Sequence, residues 1–257
     1  MTPIQLKGVD VCIDHQNILH QIDFAVEQGL LLGLIGPNGS GKSTLLKTIA
    51  TLLPTKDGKI MIHHKDQLSY TQKDIAKQIS YVPQETVIGF NFKARDVVAM
   101  GRHVYGSFLK SETLEDIEKV KWAMKQTKTL HLSEKSILNL SSGQRQLIMI
   151  SKALAQDTPI ILLDEPISAL DIYYQLHILS LLKRLCEQGK TMIIVLHDLN
   201  LAARFCDKLL LLSEGKVQKY GFPDEVLTEP ILKEVYHIET SIRQDHLVDS
   251  LTITPFI

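Results

Sequence analysis

The run Leu31-Leu32-Gly33-Leu34-Ile35 leads straight into Gly36-Pro37-Asn38-Gly39-Ser40-Gly41-Lys42-Ser43-Thr44 and then into the helix-forming Leu45-Leu46-Lys47-Thr48-Ile49. Apolar residues on both parities mark a strand buried on both faces, as in a parallel sheet covered by helices. The spacing Gly, four residues, Gly, Lys, Ser/Thr, between a strand and a helix, is that of a phosphate-binding loop. Glycines let the backbone wrap an anion and aim N–H groups at its oxygens, and the helix adds its positive end. Lys42 places a cation at the β/γ phosphates, and Ser43 offers a hydroxyl to Mg²⁺. With both flanks correct, residues 36–44 read as a phosphate cradle and not as a Gly-rich turn that binds nothing.

A second apolar run, Ile160-Ile161-Leu162-Leu163, ends in Asp164-Glu165-Pro166. Beside a phosphate loop this pattern assigns Asp164 to Mg²⁺, through a water, and Glu165 to orienting or deprotonating the attacking water. Alone, the three residues would be an ordinary polar turn; the phosphate loop changes their weight. Further runs at 192–196 and 209–212, with alternating segments at 4–11, 22–26 and 58–62, complete the strand candidates.

The stretch from about 85 to 157 has a helical texture. Leu114, Ile117, Val120 and Met124 recur every three to four positions, and Thr113 with Asp116 supplies a capping box. A second stripe, Leu147, Ile150, Ser151 and Leu154, follows a Ser-Ser-Gly turn. A helix is expected near 231–236, followed by short strand-like pieces. The 257 residues are thus divided into a single domain whose core is 1–84 and 158–257, with a helical subdomain at about 85–157.

Composition excludes several classes. Lys plus Arg number 28 and Asp plus Glu 29, a net charge of −1 that gives no long-range pull on nucleic acid. A hydrophobic share of 44% can bury a real core and argues against disorder. No apolar run approaches the roughly 18 to 20 residues that cross a bilayer. The first residues carry no secretory pattern, so a cytosolic location is expected. Cys12, Cys186 and Cys206 lack a ligand spacing and read as small core hydrophobes. His63 and His64, on a strand, would face opposite ways and make a poor chelating pair, so neither zinc nor haem is expected.

Leu140-Ser141-Ser142-Gly143-Gln144 resembles the signature motif of ABC-transporter ATPases and precedes the Asp164-Glu165 strand, as in that family. Tyr81-Val82-Pro83-Gln84 resembles the Q-loop, Ser168-Ala169-Leu170-Asp171 the D-loop, and His197 the switch histidine. The resemblance covers nearly the whole chain. It implies an α/β fold: a P-loop NTPase (RecA-like) core with a mixed sheet, an N-terminal antiparallel β subdomain and an inserted α-helical subdomain. It also implies ATP and Mg²⁺ as ligands. Gly36, Pro37, Asn38, Gly39, Ser40, Gly41, Lys42, Ser43 and Thr44 would bind the nucleotide, and so would Ser141, Ser142, Gly143, Gln144 and Asp171. Ser43, Gln84 and Asp164 would serve the metal, and Glu165, His197 and Gln84 catalysis, with His197 at the γ-phosphate.

Two positions depart from the family pattern. Ile13 stands where an adenine-stacking aromatic is usual, which puts base discrimination in question, with His15 a nearby substitute. Ser142 stands where Gly is usual, a small change. A Ser-Ser-Gly turn opening a helix suits an anion by hydroxyls, N–H groups and dipole, yet a helical insertion separates it from the phosphate loop. The resemblance resolves this with a homodimer in which each signature closes over the nucleotide held by the other subunit. It further implies two membrane-spanning permease subunits, an extracytoplasmic solute-binding protein as indirect partner, no nucleic acid, and a peripheral position on the cytoplasmic side of the cell membrane. Asp96-Val97-Val98-Ala99-Met100-Gly101-Arg102-His103 and the segment Gly221 to Tyr236 resemble the corresponding stretches of importers for iron chelates, haem and cobalamin; iron-siderophore import is the reading taken, with cobalamin, haem and zinc or manganese import as alternatives. A soluble ABC ATPase outside transport fits less well, because the chain has one cassette and no long heptad run, and a kinase leaves the signature and the switch histidine unexplained.

Overall fold

The computed structural model describes residues 1–84, 89–106 and 113–256. Parts of the expected helical subdomain, 85–88 and 107–112, lie outside the described residues. The chain forms two compact units, Met1–Ser69 with Leu182–Ile257, and Tyr70–Leu181.

The first unit opens with β1 (Ile4–Ile13) and β2 (Gln16–Val26), followed by β3 (Leu31–Ile35), α1 (Lys42–Ile49), β4 (Asp57–Ile62) and β5 (Lys65–Asp66). The second contains α2 (Gln72–Gln78), β6 (Ile79–Val82), α3 (Ala94–Ala99), α4 (Leu114–Gln126), α5 (Ser142–Ala155), β7 (Ile160–Leu163) and the start of α6 (Ile172–Glu187). The first unit resumes with β8 (Thr191–Val195), α7 (Leu199–Phe205), β9 (Lys208–Ser213), β10 (Lys216–Gly221), α8 (Pro223–Val226), α9 (Glu229–Tyr236), β11 (Glu239–Asp245) and β12 (Ser250–Phe256).

In the first unit β2, β1, β4 and β5 form an antiparallel sheet. Its hairpins turn at Asp14-His15 and at His63-His64, all four residues with φ between 48° and 64°, the left-handed pairing that two-residue hairpins require. His63 and His64 therefore stand in a turn, not on a strand as their neighbours suggest. Beside this sheet runs a mixed one: β3 pairs in parallel with β8 and with β9, and β10 pairs antiparallel with β9. All five residues of β3 and all five of β8 are buried, as strands covered on both faces must be.

In the second unit β6 and β7 run parallel, Val82 beside Leu163. The expected capping box of α4 is present: Thr113 Oγ1 accepts from Asp116 N–H, and Asp116 accepts from Thr113 N–H. The α4 stripe is only half core. Met124 is buried, but Leu114 is 81% and Ile117 49% exposed, and Ile117, Val120 and Met124 line a groove of about 420 Å³ with Ala99 of α3. Arg102, 7% exposed, ties this unit together by donating to Asp116 Oδ1 (2.8 Å) and to the Ala155 carbonyl (3.0 Å). Cys186 and Cys206 are buried free thiols, whereas Cys12 is half-exposed and not the core residue expected.

Candidate active site

Parallel strands deliver their loops to one end, where α/β proteins place their sites. In the first unit β3 runs into the phosphate loop and β8, its neighbour, into His197. Leu34 pairs with Val195, so the two loops leave adjacent strands side by side. Gly36 adopts φ 146°, and a Cβ there would lie 1.9 Å from the Leu212 carbonyl oxygen; only glycine fits, and the loop is held against β9. Gly41, at φ 101°, caps α1 in the left-handed region. Lys42 is buried and donates from Nζ to the Gly36 and Pro37 carbonyls at 2.8 Å each, so its charge sits inside the loop. Ser40 Oγ is buried with no hydrogen-bond partner, an orphan of the kind a ligand satisfies. Backbone wrap, buried cation and orphan hydroxyl fit a nucleotide's phosphates.

The C-terminal elements reach the loops that follow β3 and β8. Tyr236, at the end of α9, has its phenol pushed up to about 12 by burial, against the opposing pull of the Gly36 backbone. Asn200, on the first turn of α7 and three residues beyond His197, grips β12: its Nδ2 donates to Ile253 O at 3.2 Å and its Oδ1 accepts from Ile253 N–H at 2.7 Å. Nothing local in the sequence announces either contact, because each joins segments far apart in the chain.

In the second unit Gln84 and Asp164-Glu165 likewise leave adjacent parallel strands, β6 and β7. Asp164 is 1% exposed and its N–H donates to the Val82 carbonyl at 2.9 Å, carrying the ladder past the end of β7. Its Oδ2 accepts from Tyr81 Oη at 3.2 Å. Burial first, and the Asp164 charge second, push the Tyr81 phenol far up, so it stays protonated and donates. Tyr81 belongs to the Q-loop segment singled out above, but its contact with Asp164 depends on strand register and was not foreseen. Glu165 has φ 49°, left-handed backbone that costs a non-glycine residue about 1 kcal/mol or more and is concentrated at functional sites. Gln84 and His197 are exposed.

The signature residues open α5. Ser141 is the N-cap, its hydroxyl accepting from Gln144 N–H while Gln144 Oε1 accepts from Ser141 N–H, each at 3.2 Å. Ser142 and Gly143 are therefore helical residues and not a free turn. Ser142 is exposed with ordinary φ, so the missing glycine costs the backbone nothing there. Gly143 is different: a Cβ would lie 2.8 Å from the Ala169 carbonyl oxygen, so α5 packs directly on the D-loop segment. Together they border a cavity of about 360 Å³ with Lys128, His131 and Tyr174. Asp171 caps α6, its Oδ1 accepting from Tyr174 N–H at 3.0 Å. Ile13, at the position where the family pattern has an aromatic, ends β1 half-exposed, and His15 is exposed in the adjoining hairpin turn.

The donors that the family resemblance implies for a cation are hard oxygens: the Ser43 hydroxyl in the first unit, and the Gln84 amide and Asp164 carboxylate in the second. That set fits Mg²⁺, which is held by one or two carboxylates together with substrate phosphates. Residues 19–168 match the family model for ABC transporter proteins. The chain belongs to the ABC transporter ATPase family. The iron(3+)-hydroxamate import ATP-binding protein FhuC of Bacillus subtilis is 40% identical over 246 residues, 95% of this chain and 91% of that one. Two Halobacterium salinarum relatives, cobalamin import ATP-binding proteins 32% identical over 98% of this chain, are longer, and the chain spans 63% of their length. Among solved structures, an ABC transporter described as of metal-chelate type, in an inward-facing conformation, matches with TM-score 0.86 and 29% identity, over 100% of this chain and 98% of that one. The dimeric ATP-binding cassette MJ0796 bound to ADP and Pi matches with TM-score 0.77 and 27% identity, over 86% and 98%. The ABC ATPase fold is thus the one expected from the motifs. Among the described residues no helix is long and apolar enough to cross a membrane.

Proposed function

We propose that this chain binds and hydrolyses ATP to power an ABC importer of iron-siderophore complexes. The observation that carries the ATPase part is the phosphate loop of the first unit, with Lys42 buried on its carbonyls and Ser40 Oγ left orphaned. Lys42 and the loop N–H groups bind the triphosphate, and the N-terminal end of α1 adds its partial positive charge. Glu165 orients the attacking water and takes its proton, His197 contacts the γ-phosphate, and Gln84 relays the state of the site to the helical subdomain at about 85–157. Mg²⁺, when bound, would supply charge neutralisation on the phosphates, and Ser43, Asp164 and Gln84 would hold it.

The working unit is a homodimer in which Ser141, Ser142, Gly143 and Gln144 of each subunit close on the nucleotide of the other. Similarity to a dimeric cassette bound to ADP and Pi supports this arrangement. The dimer sits peripherally on the cytoplasmic face of the membrane, docked on two permease subunits that receive solute from an extracytoplasmic binding protein. The apolar groove along Ala99, Ile117, Val120 and Met124, and the exposed Leu114 beside it, offer the surface on which a permease docks.

The siderophore assignment rests on the 40% identity to the hydroxamate import protein. Cobalamin import is the second reading, favoured by the Halobacterium relatives. Uptake of radiolabelled ferric hydroxamate by cells lacking this gene decides between them. Restoration by the wild-type chain, but not by Glu165→Gln, is the expected result, together with co-purification of a polytopic protein from detergent extracts. Restoration of cobalamin uptake alone would overturn the substrate, and an exclusively ribosomal or DNA-bound fraction would overturn the transport reading.

A further inference from the structure

We propose that Tyr81 is a positioning residue for the metal: its phenol sets the orientation of the Asp164 carboxylate and thereby the affinity of the site for the divalent cation. The inference rests on the ATPase reading above and concerns a residue assigned above to neither the cation nor the nucleotide.

The argument starts from strand register. β6 and β7 are parallel, with Tyr81 beside Leu162 and Val82 beside Leu163. The next rung is the Asp164 N–H donating to the Val82 carbonyl at 2.9 Å. This fixes the Asp164 backbone, and the carboxylate beyond it turns about χ2, a torsion with broad preferences. Tyr81, from the same strand as Val82, restricts that torsion by donating Oη to Oδ2 at 3.2 Å. Asp164 is 1% exposed, so water cannot readily replace the phenol, and a buried acceptor that loses its donor shifts to find another. A hydrogen-bonded neighbour that aims a ligating carboxylate commonly accounts for 10- to 100-fold in metal affinity.

Tyr81, next to last in β6, also stands three residues before Gln84, which follows that strand. A displacement of that strand end thus moves the orienting phenol together with the Gln84 donor. Metal occupancy is thereby tied to the position of β6 and not only to the loop that follows it.

The test uses the full chain and Mn²⁺ as probe. Free Mn²⁺ is followed by electron paramagnetic resonance during titration with protein and a non-hydrolysable ATP analogue, and nucleotide binding is measured separately in EDTA. Tyr81→Phe keeps the ring and loses only the donor. The expected result is Mn²⁺ affinity about 10- to 100-fold weaker, metal-free nucleotide affinity unchanged, and recovery to within a few-fold for Tyr81→4-aminophenylalanine, which keeps a para donor. Equal Mn²⁺ affinity in wild type and Tyr81→Phe overturns the inference, as does an equal loss of metal-free nucleotide binding, the mark of a general structural role. If Tyr81→Phe does not fold, the 4-aminophenylalanine chain is compared with wild type alone, and a 10-fold or greater loss with the donor present overturns the inference. Wild-type protein that binds no nucleotide under either condition overturns the ATPase reading itself, a result separable from the others.

Discussion

Replacing Lys42 by alanine should affect two properties by separable amounts. The ammonium is buried and donates to the Gly36 and Pro37 carbonyls at 2.8 Å. Truncation strips those acceptors of a charged donor, and each unsatisfied buried group costs about 1–3 kcal/mol. Partial relaxation of the glycine-rich loop and entry of water should hold the net loss of stability to about 1–2 kcal/mol. A charge-assisted contact to phosphate is worth roughly 1.5–3 kcal/mol, which converts to about 10- to 150-fold in affinity. Isothermal titration with ATP and urea unfolding, on the same protein, read the two quantities. Lys42→Met keeps most of the stem and should recover part of the stability but none of the affinity. Affinity within three-fold of wild type in Lys42→Ala would refute the assignment of this cation to the phosphates, whatever happens to stability.

Other perturbations separate the remaining parts of the site. Ser142→Arg places a bulky cation at an exposed position in the first turn of α5, so ATP binding to monomers should persist while nucleotide-driven dimerisation in gel filtration is lost; lost monomer binding would argue against a composite site. Arg102→Ala should cost about 1–3 kcal/mol by removing one partner of a part-buried, hydrogen-bonded ion pair. The Arg102 and Thr113 hydrogen bonds hold the Asp116 carboxyl below the usual carboxylate range. This contribution is therefore full above about pH 4 and fades as pH falls through the lowered value. Thermal unfolding at pH 7 and pH 3 should show the gap between wild type and Arg102→Ala shrinking at acid pH, and a constant gap would contradict the pairing. Asn200→Ala, which releases β12 from the helix after His197, should lower kcat several-fold while leaving nucleotide affinity within two-fold, as measured by steady-state hydrolysis and titration.

The parts legible in the sequence are those whose cause is local. β3, β7 and β8 declare themselves because each is apolar on both parities, the phosphate loop because its glycines are needed where the backbone crowds β9, and α4 because Thr113 and Asp116 cap it three residues apart. The same signal at Thr71 and Asp74 marks the start of α2 and went unused. Left-handed turns made by His63-His64 and Asp14-His15 were hidden because neither carries the Asn-Gly signature of such hairpins. The Tyr81 contact with Asp164 and the Asn200 grip on Ile253 were illegible for another reason: both depend on register between distant segments. Helical periodicity also overstated the core of α4, since a stripe records which face is apolar and not whether this chain covers it.

The central claim, ATP hydrolysis at composite sites shared by two copies, is tested most directly by hydrolysis per chain over a wide range of protein concentration. The same series is run by gel filtration of Glu165→Gln with and without ATP. The account predicts specific activity that falls on dilution, hydrolysis in Glu165→Gln lower by about 10²- to 10⁴-fold, and a Glu165→Gln dimer that forms only with ATP. Constant specific activity down to concentrations at which the chain is monomeric, with Glu165→Gln monomeric in saturating ATP, would contradict it.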